Sequence, residues 1–257
     1  MRARLAIAAF AALSLGAAPA PPAPGQSVAF VGCPVIRDTE PVPCWLAEHE
    51  GRLYYLGIQA DASAAFYPPQ LGHQTLVEGV VTDRRLCGGI VLEPVRASVL
   101  KPLAPHCDRV LKAQGHRIEH AERGPGPSTV PPRPRPPAVL PPPPPPYGPK
   151  TTTVWFDFDR DHIFLRSAFP LREIATYAKA ANARRVTVTG YRGAVGLTDG
   201  GVMTEEAAIA RVRAEKVAEF IRELGAPAVE VLWDDRPRGG DGLRDWEERR
   251  VTVEVAP

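Results

Sequence analysis

The chain has 257 residues, 30 prolines and a formal net charge of +2. Its length allows about two domains. The near-neutral charge excludes the usual electrostatic basis for nucleic-acid binding. The prolines exceed the ordinary share of about 5% and cluster, so they divide the chain.

The N-terminus predicts a signal peptide over residues 1–20. Arg2 and Arg4 precede an apolar run, Leu5–Leu15, and small residues follow it. The run is shorter than the roughly 20 residues that cross a membrane, and no other stretch qualifies. We therefore expect an exported protein of the periplasm or cell envelope, with no transmembrane span in the mature chain. Association with the outer membrane is a further expectation.

Four cysteines in an exported chain predict two disulfides. Cys33, Cys44, Cys87 and Cys107 allow three pairings, of which Cys33–Cys44 with Cys87–Cys107 is the most local. A zinc site that uses these cysteines and His106 is the alternative. The absence of CxxC spacing argues against zinc, so we expect no metal.

Residues 28–120 contain short apolar runs separated by turn-forming stretches. This pattern predicts a small β-rich domain, an OB-like or SH3-like barrel stapled by the disulfides. Its ligand is left open, and an envelope protein is the partner we expect for it.

Residues 121–150 predict a proline-rich linker. Six consecutive prolines, Pro141–Pro146, cannot donate backbone hydrogen bonds to a helix or sheet and favour polyproline II. We expect a semi-rigid spacer that lets the N-terminal domain work at a distance from the C-terminal one.

Residues 151–257 alternate between strand and helix patterns, which predicts a helix-covered sheet. One feature of the helix Ala210–Leu224 stands out, because Arg213 lies on its apolar stripe. A buried guanidinium needs a carboxylate. An internal partner (Asp157, Asp159 or Asp199) and a ligand carboxylate are both open.

The acidic stretch "VWFDFDRDH" permits two other interpretations. It starts with the spacing of an EF-hand loop, but His162 and Ala168 stand where that loop needs glycine and glutamate. It also begins like a haloacid-dehalogenase-type phosphatase with Asp157 as nucleophile. The residues available for the other phosphatase roles are Thr189, Lys216, Asp234 and Asp235.

Four segments in order resemble the OmpA-like, peptidoglycan-associated domain family over about residues 151–255. They are "VWFDFDRDHI", "VTVTGY", "ARVRAEKVAEFIRELG" and "ERRVTVEV". The resemblance implies a non-catalytic α/β sandwich of βαβαβ type, with no cofactor. It also implies binding to the diaminopimelate of peptidoglycan stem peptides, which carries a carboxylate and an ammonium.

The resemblance also implies site residues. Arg213 matches the family arginine that binds the carboxylate, and Arg249 and Arg250 match a second basic position. Asp159 belongs to the acidic loop that lines the expected groove. Gly193 occupies the position of the family acid. Asp199 is the displaced acid if an insertion moved it, and Glu248 replaces a family asparagine.

Together these patterns predict a peptidoglycan-binding protein that links the wall to another envelope component. One alternative is an envelope interaction scaffold that has lost wall binding. The other is the periplasmic phosphatase.

Overall fold

The computed structural model describes residues 20–40, 42–58, 67–113, 115–116, 144–242 and 244–257. The predicted signal peptide, except its last residue, and most of the predicted linker lie outside these ranges. Among the described residues, neither helix is long and apolar enough to cross a membrane.

The N-terminal domain, as named here, carries the first sheet. Its strands are β1 (Ser27–Arg37), β2 (Cys44–His49), β3 (Arg52–Ile58), β4 (His73–Leu86), β5 (Gly89–Leu103) and β6 (Val110–Leu111). The order is β2-β3-β5-β4-β1-β6, and β2 also pairs with β1. The pairings of β1 to β5 therefore close into a ring, in which only β3 and β5 run parallel. Phe30, Tyr54 and Val77 belong to the apolar core of this ring.

Both disulfides are present, but their pairing differs from the most local choice. Cys33 joins Cys107, and Cys44 joins Cys87. The local pairing is wrong because of strand register: β1 and β2 are antiparallel, Cys33 stands opposite Glu48, and Cys44 stands opposite Arg37. Cys33 and Cys44 are thus at opposite ends of the ladder, about 13 Å apart at about 3.3 Å per residue.

The C-terminal domain, as named here, carries the second sheet. Its elements are β7 (Lys150–Trp155), α1 (Leu165–Ala180), β8 (Arg185–Gly196), β9 (Val202–Thr204), α2 (Ile209–Glu223), β10 (Val229–Gly239), a 3-10 turn (Asp245–Glu248) and β11 (Arg250–Ala256). The sheet order is β10-β8-β11-β7, with β9 on β8. The alternation of strands and helices is the one predicted, except that the short strand β9 lies in a stretch predicted as a loop.

Both helices bury one face against this sheet. Leu171 and Ile174 of α1, and Val217 and Ile221 of α2, share a core with Val154, Val188 and Val253 of the strands. Gly225 follows α2 with a φ of 89°, which ends the helix in the left-handed conformation that glycine adopts without cost.

The two domains are in contact, contrary to the expected separation. Ala29 and Leu76 of the N-terminal domain share an apolar cluster with Phe158 and Val195 of the C-terminal domain. Backbone and side-chain hydrogen bonds cross the same seam. Ala29 donates to Thr198 Oγ1 at 2.9 Å and accepts from the Thr198 amide at 2.7 Å.

A buried ion pair anchors the seam. Arg249 Nη1 lies 3.1 Å from Glu78 Oε1, and Nη2 lies 2.5 Å from Oε2. The side chains are 1% and 7% exposed. Taking either charge out of water without its partner is costly. Both charges can therefore be buried only when the two domains are docked.

We predict that Glu78→Gln lowers the free energy of unfolding by about 3 kcal/mol or more, because it leaves the Arg249 guanidinium buried without a countercharge. Urea unfolding followed by tryptophan fluorescence measures the loss.

The matched control is Glu93→Gln on β5, which removes the acid of the exposed Arg84–Glu93 pair. It is expected to cost less than about 1 kcal/mol. Equal costs for the two variants would contradict a seam held by the Glu78–Arg249 pair.

Candidate functional site

Arg213 lies on the buried stripe of α2 and is fully enclosed. Its guanidinium faces Glu205, four residues before α2 begins. Nη1 donates to Oε2 at 2.9 Å and Nη2 donates to Oε1 at 2.6 Å. This two-pronged geometry is the strong form of a carboxylate contact, and both side chains are 0% exposed.

Backbone carbonyls take the remaining donors of Arg213. Nε donates to Arg160 O at 2.8 Å, and Nη2 donates to Asp157 O at 2.9 Å. Nη1 donates to Tyr191 O at 3.3 Å. A guanidinium has five N–H groups, and all five are used here inside the protein.

Glu205 is equally well satisfied. Besides the guanidinium, Oε1 accepts the amide of Asp159 at 2.8 Å and Oε2 accepts the amide of Gly193 at 2.7 Å. Asp159 has a φ of 52°, the left-handed conformation that turns its amide here. Four donors on one carboxylate fill its acceptor capacity.

Arg213 thus has an internal carboxylate partner, which was one of the two possibilities left open by the sequence. The acid is not one of those considered. The carboxylate belongs to Glu205, and not to Asp157, Asp159 or Asp199. Glu205 occupies the face of the Arg213 guanidinium that a ligand carboxylate would have to take under the other alternative. No N–H group of the guanidinium is left over for an external one.

Asp199, the predicted displaced acid, does not join this site. It is exposed in the turn after β8, where Oδ1 accepts the amide of Gly201 at 2.9 Å. Strand β8 runs on to Gly196, about 10 Å beyond Gly193 at about 3.3 Å per residue, before this turn begins.

Gly193, which stands at the family acid position, cannot hold a larger side chain without movement. A Cβ there would lie 2.8 Å from Cγ of Arg249. The stem of Arg249 fills the space above Gly193 on its way to Glu78. The Arg249 side chain therefore occupies the space that an acidic side chain at position 193 would need.

The remaining predicted site residues have partners within the chain. Arg250 Nη1 donates to Glu247 O at 2.8 Å and to Glu248 Oε2 at 2.9 Å. Its guanidinium carbon lies 4.9 Å from the ring centroid of Tyr191. Asp159 Oδ1 accepts the amide of Glu206 at 2.7 Å. These contacts make both residues part of the local structure.

The N-terminal domain covers the loop around the Arg213–Glu205 pair. Strand β5 contacts it at three places: Ser98 Oγ accepts the Phe158 amide at 3.0 Å, Val99 O accepts Arg160 Nη2 at 2.9 Å, and Lys101 pairs with Glu206 at 2.7 Å. The loop that the sequence assigned to a binding groove is thus an interdomain contact.

The residues considered for a phosphatase do not converge. Lys216 pairs with Asp161 at 2.8 Å, and Asp234 pairs with Arg236 and Arg238. Thr189 lies within β8, between β10 and β11.

Asp157 differs from the other acids of the site. Among the described residues, its carboxylate has no hydrogen-bond or ion-pair partner. Burial raises the pKa of the Asp157 carboxyl above its ordinary value of 3.8, and the nearby guanidinium groups of Arg249 and Arg96 oppose that rise.

Sequence reasoning missed Glu205 and Glu78. Glu78 carried a signal, because it interrupts the apolar run "TLVEGVV". An acid in a buried strand predicts a cationic partner. Glu205 has a weaker signal: it lies in a polar segment before α2, and its neighbour Glu206 is indistinguishable from it by pattern.

We predict that Glu205→Gln lowers the free energy of unfolding by about 3–5 kcal/mol, because Arg213 stays buried while its countercharge is removed. Urea denaturation measures this. Glu206→Gln is the matched control, since Glu206 is the next residue, is exposed, and pairs with Lys101 across the surface. A loss below about 1 kcal/mol is expected for it, and an equal loss in both variants would contradict the assigned pairing.

We predict that Asp157→Asn stabilises the protein near neutral pH. Since the folded pKa is raised, the unfolded carboxyl loses its proton first as pH rises, and the free energy of unfolding of the wild type falls between the two pKa values. Asparagine does not titrate. The gain of the variant should therefore disappear as pH falls below the ordinary value of 3.8.

Asp161→Asn is the control with the opposite sign, because a hydrogen bond from Lys216 lowers the pKa of Asp161. It should destabilise near neutral pH, with the difference shrinking in acid. Chemical denaturation of both variants from about pH 3 to about pH 8 measures the two trends. A neutral-pH loss of stability in Asp157→Asn would contradict the first.

No protein-family model matches the chain, and no curated protein matches it. Solved structures do show similarity to part of it. The OmpA-like domain of FopA1 from Francisella tularensis is 23% identical over 42% of this chain and 73% of that structure, with a TM-score of 0.33.

Two further structures give similar values. The peptidoglycan-associated lipoprotein from Burkholderia pseudomallei is 24% identical over 40% of this chain and 88% of that one, with a TM-score of 0.33. The periplasmic domain of Helicobacter pylori MotB is 14% identical over 41% and 78%, with a TM-score of 0.30. This chain is thus similar, over about two-fifths of its length, to OmpA-like domains.

Proposed function

We propose that this protein is a non-catalytic interaction scaffold of the cell envelope, whose C-terminal domain does not bind diaminopimelate through Arg213. The observation that carries this is the closed Arg213–Glu205 pair. An incoming carboxylate would have to displace Glu205, which holds two backbone amides as well as the guanidinium.

The docked N-terminal domain supports the same proposal. Entry of a stem peptide along the loop 157–161 would require breaking the contacts of Arg160 with Val99 and of Glu206 with Lys101. Recognition of the ammonium also lacks its acid, because Gly193 stands in that position and Arg249 fills the space beside it.

Two features support a protein partner. Among the residues that the structure describes, strand β10 pairs with β8 alone and ends the second sheet, so one row of its backbone groups is open to strand addition. Leu232 and Trp233 on β10 are 44% and 46% exposed. Aromatic side chains of this kind are enriched at protein interfaces.

The periplasm is the compartment we propose. Two disulfides fit an oxidising environment, and the N-terminal sequence fits export. We also propose that the N-terminal domain is a small OB-like or SH3-like barrel that serves as a binding module, and the ring of pairings among β1 to β5 supports this.

We predict that the full chain shows no saturable binding to a diaminopimelate-containing tripeptide tighter than about 1 mM, and no retention on purified sacculi. NMR titration and a sacculus pull-down measure these. Saturable shifts at Arg213 in the wild type would overturn the proposal.

Glu205→Ala supplies the positive arm, because it removes the internal carboxylate and leaves room for another. Acetate should raise the melting temperature of this variant by mass action, and leave that of Glu206→Ala unchanged. An absence of rescue by acetate would contradict the role of Glu205 as the occupant of a carboxylate site.

A further inference from the structure

A cavity of about 540 Å³ lies between the two domains, apart from the Arg213–Glu205 pair. Arg96 from β5 contributes to one side, and the segment 153–170 forms the other. The side chains that matter for its chemistry are Tyr67, Arg96, Trp155, Asp157, Phe164 and Arg166. Both domains must be docked for the cavity to exist.

Three charges in this cavity lack ion-pair partners among the described residues: Asp157, Arg96 and Arg166. They contrast with two buried ion pairs of the described chain, Arg213–Glu205 and Arg249–Glu78, whose charges are matched. Asp157 and Arg96 are half-buried, Arg166 is exposed, and all three line the open volume of the cavity.

Asp157, Arg96 and Arg166 all line the cavity. Asp157 and Arg96 form no ion pair, yet each shifts the pKa of the other. Arg166 also acts on Arg96 as a second positive charge. The cavity therefore has a negative point and a positive region that are neighbours without being in contact.

Aromatic groups form the apolar part of the wall. Trp155 is 41% exposed, and the ring of Phe164 stacks on Tyr67 with centroids 4.4 Å apart. Arg96 is held in place by the ring of Trp246, 4.2 Å from its guanidinium carbon. A cation fixed on an aromatic ring is a pre-organised donor.

We propose that this interdomain cavity binds a small zwitterionic ligand of the amino-acid class with an apolar side chain. The carboxylate of Asp157 accepts the α-ammonium, while Arg96 and Arg166 donate to the α-carboxylate. The apolar side chain packs against Trp155 and Phe164. This site uses residues of both domains and is independent of whether Arg213 binds the wall.

The chemistry of the ligand follows from the charges. An ammonium placed beside Asp157 compensates for the solvation that its carboxylate loses on burial, and a carboxylate gives the two arginines an acceptor. A ligand with only one of the two groups would leave the other side of the cavity unmatched, at the cost of a desolvated charge. Both groups are therefore required together.

Calorimetric titration of the full chain with phenylalanine, in both enantiomers, tests the proposal. We expect saturable binding of at least one enantiomer. N-acetylphenylalanine, which lacks the ammonium, and phenethylamine, which lacks the carboxylate, should bind at least about tenfold more weakly. Absence of saturable heat with both enantiomers, or equal binding of either analogue, would overturn the proposal.

Variants assign the groups. Asp157→Asn should abolish the preference for phenylalanine over N-acetylphenylalanine, and Arg166→Gln should weaken phenylalanine about tenfold without affecting phenethylamine. The matched controls are Asp161→Asn and Arg172→Gln, which change an acid in the same loop and an exposed arginine on the same helix. Parallel effects of variants and controls would count against the site, and circular dichroism confirms that each variant is folded.

Discussion

The arrangement of the C-terminal domain depends on one buried ion pair, Arg213 with Glu205. The guanidinium is enclosed on the stripe of α2 that packs on the sheet, so it must find its partners inside. It finds them in three separate parts of the chain: the loop after β7, strand β8 and the segment before α2. One side chain therefore fixes the relative positions of these parts.

A second pair extends the same principle across the domain seam. Arg249, the residue before β11, reaches to β4 of the N-terminal domain, where its guanidinium pairs with Glu78. Apolar contacts around Phe158 bury surface between the two domains, but buried apolar surface alone does not specify how the domains are oriented. A desolvated ion pair does, because a shifted docking would leave both charges unmatched.

Local features of the sequence were sufficient to predict local features of the structure. The stripe that includes Val217 and Ile221 predicted α2 nearly to its ends, and the out-of-place Arg213 predicted a carboxylate partner. Non-local partners were harder. Glu205 and Glu206 have the same local pattern, and only the fold decides which one turns inward. The disulfide pairing depended on strand register in the same way.

Docking of the two domains was also beyond sequence reasoning. Glu78 and Arg249 are 171 positions apart, and the proline-rich stretch between their domains suggested distance instead of contact. The apolar run around Glu78 was the one sequence feature that indicated a buried ion pair, because an acid in such a strand needs a cationic partner.

The close approach of Arg249 to Gly193 sets a limit on how this molecule could change its use. An acid at position 193 would need the space that the stem of Arg249 now fills. Moving that stem would leave Glu78 alone in the seam and loosen the domains. An acid at position 193 and the Arg249 side chain that holds the two domains together thus compete for one small volume, and in this chain Arg249 occupies it.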